Sequence, residues 1–212
     1  MTFEGEFSTI IIVQYGLKNN DRESICDALR KDLLTGKFAF EQPIREQKLA
    51  ERFGTSRGPV RDALLRLTQE GVLVYEPNKG VRVSSPLSDA ERDVVVAMRL
   101  RLEKFCMEEF IRDAKEHHLI QLSFLLERLH LACNRASLPE VAECDLALHR
   151  YWVAQASPHL ESLWLGLSLR MIMKYSRLSH YQEVIEEHNR IIGAVMERDL
   201  EKALFYLEEN VI

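Results

Sequence analysis

The chain has 212 residues, 46% of them hydrophobic and 29% charged, with a net charge of −5. That length supports one or two domains with a sizeable core, and no apolar run approaches the roughly 18 to 20 residues that span a bilayer. The acidic balance argues against a wholly basic nucleic-acid binder, and Cys26, Cys106, Cys133 and Cys144, unpaired in spacing and set in helical patterns, read as reduced, mostly buried thiols of a cytoplasmic protein.

Residues 1–20 form an N-terminal arm or tail around the β-branched stretch Ser8–Tyr15, without the basic start or small-residue cleavage site of a secretory signal. Ile25, Leu29 and Leu33 share one face of a helix over 21–35, and Lys37 to Pro43 reads as a loop. A short helix carrying Leu49, Ala50 and Phe53 stops at Gly54. A second starts at Thr55 or Ser56, which can cap it, and ends at Gly71. Two helices joined by a tight Gly-containing turn make a helix-turn-helix, whose second helix enters a DNA major groove.

That second helix has two faces. Val60, Ala63, Leu64 and Leu67 repeat at helical spacing and point inward. Arg57 and Arg61 sit together on another face, at the helix end that meets base edges, and Pro59 is tolerated in the first turn. Leu73 to Glu76 and Gly80 to Ser84 then read as strands around the turn Pro77-Asn78-Lys79-Gly80, a β-hairpin wing whose tip residues Asn78, Lys79 and Gly80 can approach the sugar-phosphate backbone or minor groove. Residues 21–86 carry 12 Lys and Arg against 10 Asp and Glu, whereas residues 87–212 carry 15 against 21. A mildly positive head on an acidic body fits a DNA-binding unit joined to a part that avoids DNA.

Ser84-Ser85-Pro86 marks a boundary, and Ser88 to Glu91 reads as a capping box. Six helices follow, at about 88–114, 116–136, 138–156, 158–177, 179–197 and 199–211, which makes 87–212 an all-α bundle and the chain mainly α. Asp145 and His149 are four apart and share a helix face; His188 on a later helix can also face inward. Such a carboxylate and imidazoles can hold a divalent cation if other helices contribute ligands. From spacing alone, surface or satisfied core groups are the commoner outcome. The sequence carries no HExxH, no Gly-rich phosphate loop and no Ser/His/Asp set, which argues against an enzyme.

The run Leu49 to Leu64, LAERFGTSRGPVRDAL, followed by Leu67, Glu70-Gly71 and Pro77-Asn78-Lys79-Gly80-Val81, resembles the GntR family of bacterial transcription regulators. The helical remainder, through Asp145 to His149, Glu187-His188 and the pattern from Gly193 to Ala203, resembles the FCD-type ligand-binding domain of the FadR subfamily, in its six-helix, VanR-like form. The resemblance implies a dimer on a palindromic double-stranded operator. It implies DNA contacts from the positions of Arg57 and Arg61, with Thr55, Ser56, Gly58 and Pro59 beside them, and from the wing glycine, Gly80. A further contact position, two before the Leu-Ala pair, is Gln47 here where arginine is frequent, with Arg45 nearby.

The subfamily's metal set is Asp, His, His, His, with the last two 22 residues apart. The matching residues are Asp145, His149, His188 and Asn210, an amide where relatives carry imidazole, and this should lower affinity for zinc or nickel. Arg99 stands where relatives carry an inward arginine that binds a small carboxylate effector; a salt bridge with Glu103, four residues on, is the alternative. The function implied is an effector-modulated repressor or activator. A regulator that answers to the cation itself is the alternative.

Overall fold

The computed structural model of the chain describes residues 22–173 and 180–212. The expectations for residues 1–20, and for the end of the helix drawn to 177, lie outside them. Nine helices and three short strands make up the described residues.

In the head, α1 (Arg22–Leu34), α2 (Glu46–Phe53) and α3 (Arg57–Gln69) enclose a core of Ile25, Leu29, Leu49, Val60, Ala63, Leu64 and Leu67. These are the residues whose spacing marks one face of each helix. Between α2 and α3 the chain reverses at Gly54, whose φ of 61° is costly for any residue with a Cβ. Ser56 occupies the N-cap of α3 in extended backbone, but its hydroxyl makes no capping bond.

The wing pairs β2 (Leu73–Glu76) with β3 (Gly80–Val83), and Glu76 meets Gly80 across a turn in which Asn78 and Gly80 take φ of 67° and 84°. One element departs from expectation. Pro43, expected at the end of a loop, and Ile44 form β1, which pairs antiparallel with the outer edge of β3. Two residues carry no period, so only their pairing with Val81 and Arg82 identifies them as a strand.

Among the described residues the body's regular elements are all helices. They are α4 (Asp89–Asp113), α5 (Glu116–Asn134), α6 (Leu138–Ala156), α7 (Pro158–Ile172), α8 (Tyr181–Met196) and α9 (Leu200–Val211). Both halves of the capping box at Ser88 and Glu91 form and start α4. Helix α6 lies at the centre, against α4, α5 and α7, and buries Leu148, Trp152 and Val153. All four cysteines are free and buried. No described helix is long and apolar enough to cross a membrane.

Head and body meet where α1 and the end of α3 pack against α6 and α7. Arg30 donates to Glu70 through Nε at 3.0 Å, tying α1 to the end of α3, and Lys31 pairs with Glu143 of α6 at 2.9 Å. Gly166 of α7 lies directly against the backbone of Glu70.

Candidate functional site

The first charged surface is the start of α3. Arg57 and Arg61 are both exposed, because Val60, Ala63 and Leu64 take the inward face and leave these positions to solvent. Their contacts are light: Arg57 Nη2 lies 3.4 Å from Gln47 Oε1, and Arg61 Nε lies 2.8 Å from Glu46 of α2. Surface pairs of this kind stabilise by about 0–1 kcal/mol and exchange readily for another anion. Arg45, Gln47, Ser56 and Gly58 are exposed around them, with Thr55 and Pro59 half-buried. At the wing tip Asn78 and Lys79 are exposed, the Lys79 side chain by 79%, with Gly80 beside them.

The second site is buried. Helix α6 supplies Asp145 and His149, α8 supplies His188, and one ligand atom from each lies within 4.8 Å of the others. His149 Nε2 and His188 Nε2 are 3.2 Å apart, and Asp145 Oδ1 is 3.1 Å from His188 Nε2. The tautomers follow from the outer partners. His188 Nδ1 lies 2.7 Å from the Val184 carbonyl, which only accepts, so Nδ1 carries the proton. His149 Nδ1 lies 3.0 Å from Glu103 Oε1 and 3.4 Å from Arg99 Nη2, and the nearer carboxylate, which only accepts, assigns the proton to Nδ1. Both Nε2 atoms therefore turn lone pairs toward each other and toward a carboxylate, an arrangement that calls for a proton or a cation between them.

The His149–His188 and Asp145–His188 separations fit a cation. With metal–nitrogen distances of about 2.05 Å, ligand atoms at right-angle to tetrahedral positions lie about 2.9 to 3.4 Å apart. Each histidine also has the outer hydrogen bond that fixes a metal-binding ring.

Electrostatics hold the cluster in this form. Burial pushes the Asp145 carboxyl up, but the His188 hydrogen bond and the charges of His149, His188 and Arg99 outweigh it and bring it to about 2. Burial pushes His188 down, and Asp145 more than reverses this, so its value lies above the usual imidazole range.

Glu103, one helical turn from Arg99, joins the cluster through His149 and Trp164. It is fully buried, and its Oε1 accepts from Trp164 Nε1 at 2.7 Å, His149 Nδ1 at 3.0 Å and Arg99 Nη2 at 3.3 Å. Burial opposes its charge, and Arg99, His149 and Trp164 hold it ionised below the usual carboxylate range. Arg99 is itself buried and pairs with Glu103 inside the body.

Arg99 Nε, Glu103 Oε2, Trp152 Nε1 and Ser168 Oγ are buried without hydrogen-bond partners. Trp152 packs on the His149 ring at 4.5 Å between centroids, and Ser168 lies one turn after Trp164. Unmet polar atoms so close to the cluster leave capacity for a bound molecule or water. Asn210 stands half-buried on α9, its amide nitrogen donating to Glu187 at 2.8 Å, beside His188. His180 is exposed and 3.6 Å from Glu183.

Residues 21–83 match the family described as bacterial regulatory proteins, gntR family, and residues 94–208 match the FCD domain. The chain is 28% identical over 181 residues to the HTH-type transcriptional regulator YdhC of Bacillus subtilis, covering 82% of this chain and 80% of that protein. It is 25% identical over 194 residues to the gluconate operon transcriptional repressor of Bacillus licheniformis, covering 86% and 78%. Among solved structures, Escherichia coli McbR/YncC shares the fold with a TM-score of 0.78 at 22% identity, over 90% of this chain and 92% of that one. These matched domains and relatives are those of transcription regulators and not of enzymes.

Proposed function

The chain belongs to the gntR family of bacterial regulatory proteins and carries an FCD effector-binding domain, and from that premise we propose a cytoplasmic, homodimeric repressor or activator whose operator affinity answers to a small carboxylate bound at a metal-bearing cluster. We assign DNA reading to residues 21–86 and effector binding with dimerisation to residues 87–212. Arg57 and Arg61 contact base edges and phosphates of a palindromic duplex, aided by Arg45, Gln47, Thr55, Ser56, Gly58 and Pro59, with Asn78, Lys79 and Gly80 on the flanking backbone.

Asp145, His149 and His188 hold one divalent cation, zinc or nickel by the preference of imidazole donors, with Asn210 at its edge. The observation that carries this is the approach of the two Nε2 atoms to 3.2 Å, with each Nδ1 within hydrogen-bond distance of an acceptor, Glu103 Oε1 for His149 and the Val184 carbonyl for His188. Such a cation supplies a Lewis-acidic anchor for an anion. Charge counting supports the class of effector. Asp145 and Glu103 contribute one negative charge each, Arg99 one positive and the cation two, so the site is left with one positive charge in excess of neutrality. A monocarboxylate restores it, with Arg99 Nε among the unpartnered donors nearby.

The exposed apolar residues Val94, Met98 and Leu163, with Leu102 and Leu167, form a groove on α4 and α7 that suits a second copy of the chain.

Selection from a random duplex library, followed by anisotropy titrations of the selected operator with zinc and a panel of monocarboxylates, tests the reading. A palindromic site whose affinity changes severalfold with zinc plus acid is expected. No selected sequence, or no response to any addition, overturns it. A response to zinc or chelator alone assigns the signal to the cation itself.

A further inference from the structure

We propose that α7 is the element through which the buried cluster and the DNA-reading head sense one another, with Trp164 positioning its inner end and Gly166 its outer contact; the proposal rests on the metal-linked reading above. Three contacts within seven residues carry it.

Trp164 Nε1 donates to Glu103 Oε1 at 2.7 Å, and this same oxygen receives His149 Nδ1 at 3.0 Å. The orientation of one cluster imidazole and the position of α7 therefore answer to a single carboxylate oxygen. Two residues on, about 200° around the helix, Gly166 faces the head. A Cβ at this position would lie 2.8 Å from the Glu70 carbonyl oxygen and 3.4 Å from its Cα. Glu70 is the C-cap of α3, the helix that bears Arg57 and Arg61. Its side chain is clamped by Arg30 at 2.5 Å and Arg66 at 3.3 Å, so it moves with the head. One turn further, Arg170 Nη1 donates to Ser85 O at 2.8 Å, on the segment that joins head to body.

A helix in backbone contact at one face and hydrogen-bonded at the other is a stiff link, because packed interiors transmit displacement and compress little. A change of occupant between His149 and His188 shifts Glu103 and with it the Trp164 indole. Since α7 abuts Glu70 through Gly166, the shift reaches the end of α3. The coupling runs equally in reverse, so operator binding must change metal affinity by the same factor.

The test measures zinc dissociation constants of the full-length protein, with and without the selected operator duplex, for wild type, Gly166→Ala and Trp164→Phe. Wild type is expected to show a coupling factor of about 5 to 150. Alanine is the better helix former, so Gly166→Ala conflicts only with Glu70. It should bind zinc without DNA within about twofold of wild type while the coupling factor falls toward one. Trp164→Phe keeps the ring and loses the donor; it should also lose coupling and serves where Gly166→Ala does not fold by circular dichroism. Folded variants that keep the wild-type factor overturn the proposal. A wild-type factor of one, with zinc bound, overturns instead the metal-linked reading beneath it.

Discussion

The DNA-reading face and the buried cluster are both built from charged side chains, yet they hold those charges in opposite ways. On α3, Arg57 and Arg61 stand in water with loose partners, Gln47 at 3.4 Å and Glu46 at 2.8 Å. In the body, Glu103, His149 and His188 are wholly removed from water, and each is fixed by at least two neighbours. The first arrangement leaves donors free to exchange a weak partner for phosphate or a base. In the second, every member depends on the others, because a buried charge that loses its partner is left in a low dielectric.

The largest expected effect follows from that dependence. Glu103→Ala strands the Arg99 guanidinium, which is 6% exposed, and should destabilise the protein by about 3–5 kcal/mol in urea unfolding. Arg57→Ala removes a solvated group, so folding should be unchanged while operator affinity falls by about 1–3 kcal/mol for each lost base contact. Equal sensitivity of folding to both substitutions would erase the contrast between the regions.

The pH dependence of metal binding sharpens the comparison. In the metal-free protein Asp145 raises the His188 value above its ordinary 6.5, so a proton occupies the cluster below that raised value. A cation must displace it. Zinc affinity should be flat above the raised value and fall by about tenfold per pH unit below it, starting at a pH above 6.5. Isothermal titration in several buffers, with proton release counted, checks the sign; affinity that rose on acidification would contradict it. The smallest effect belongs to the wing. Lys79→Ala should weaken binding evenly across sequences and lower the salt slope by about one.

The same contrast explains what the sequence made legible. The head follows from local signals: the inward period of Val60, Ala63, Leu64 and Leu67, the turn at Gly54 and the reversal at Asn78 and Gly80. Asp145 and His149 were visible because one helical turn brings them together. Glu103 was not visible as a member of the site, because Arg99 and Glu103 look like any surface pair four residues apart. What sets them apart is contact with Trp164, 61 residues away, and His149, 46 away. The approach of Gly166 to Glu70 depends on packing between head and body and leaves no local mark. Strand β1 escaped because two residues have no alternation, and pairing with β3 alone defines it.

The central claim is that the occupant of the cluster sets the hold of α3 on DNA. Anisotropy titrations of the selected operator against wild type and His188→Ala, each with chelator and with saturating zinc, test it most directly. A severalfold difference between the two conditions for wild type, absent in the variant, is the predicted result. Identical responses in the two proteins would contradict the account.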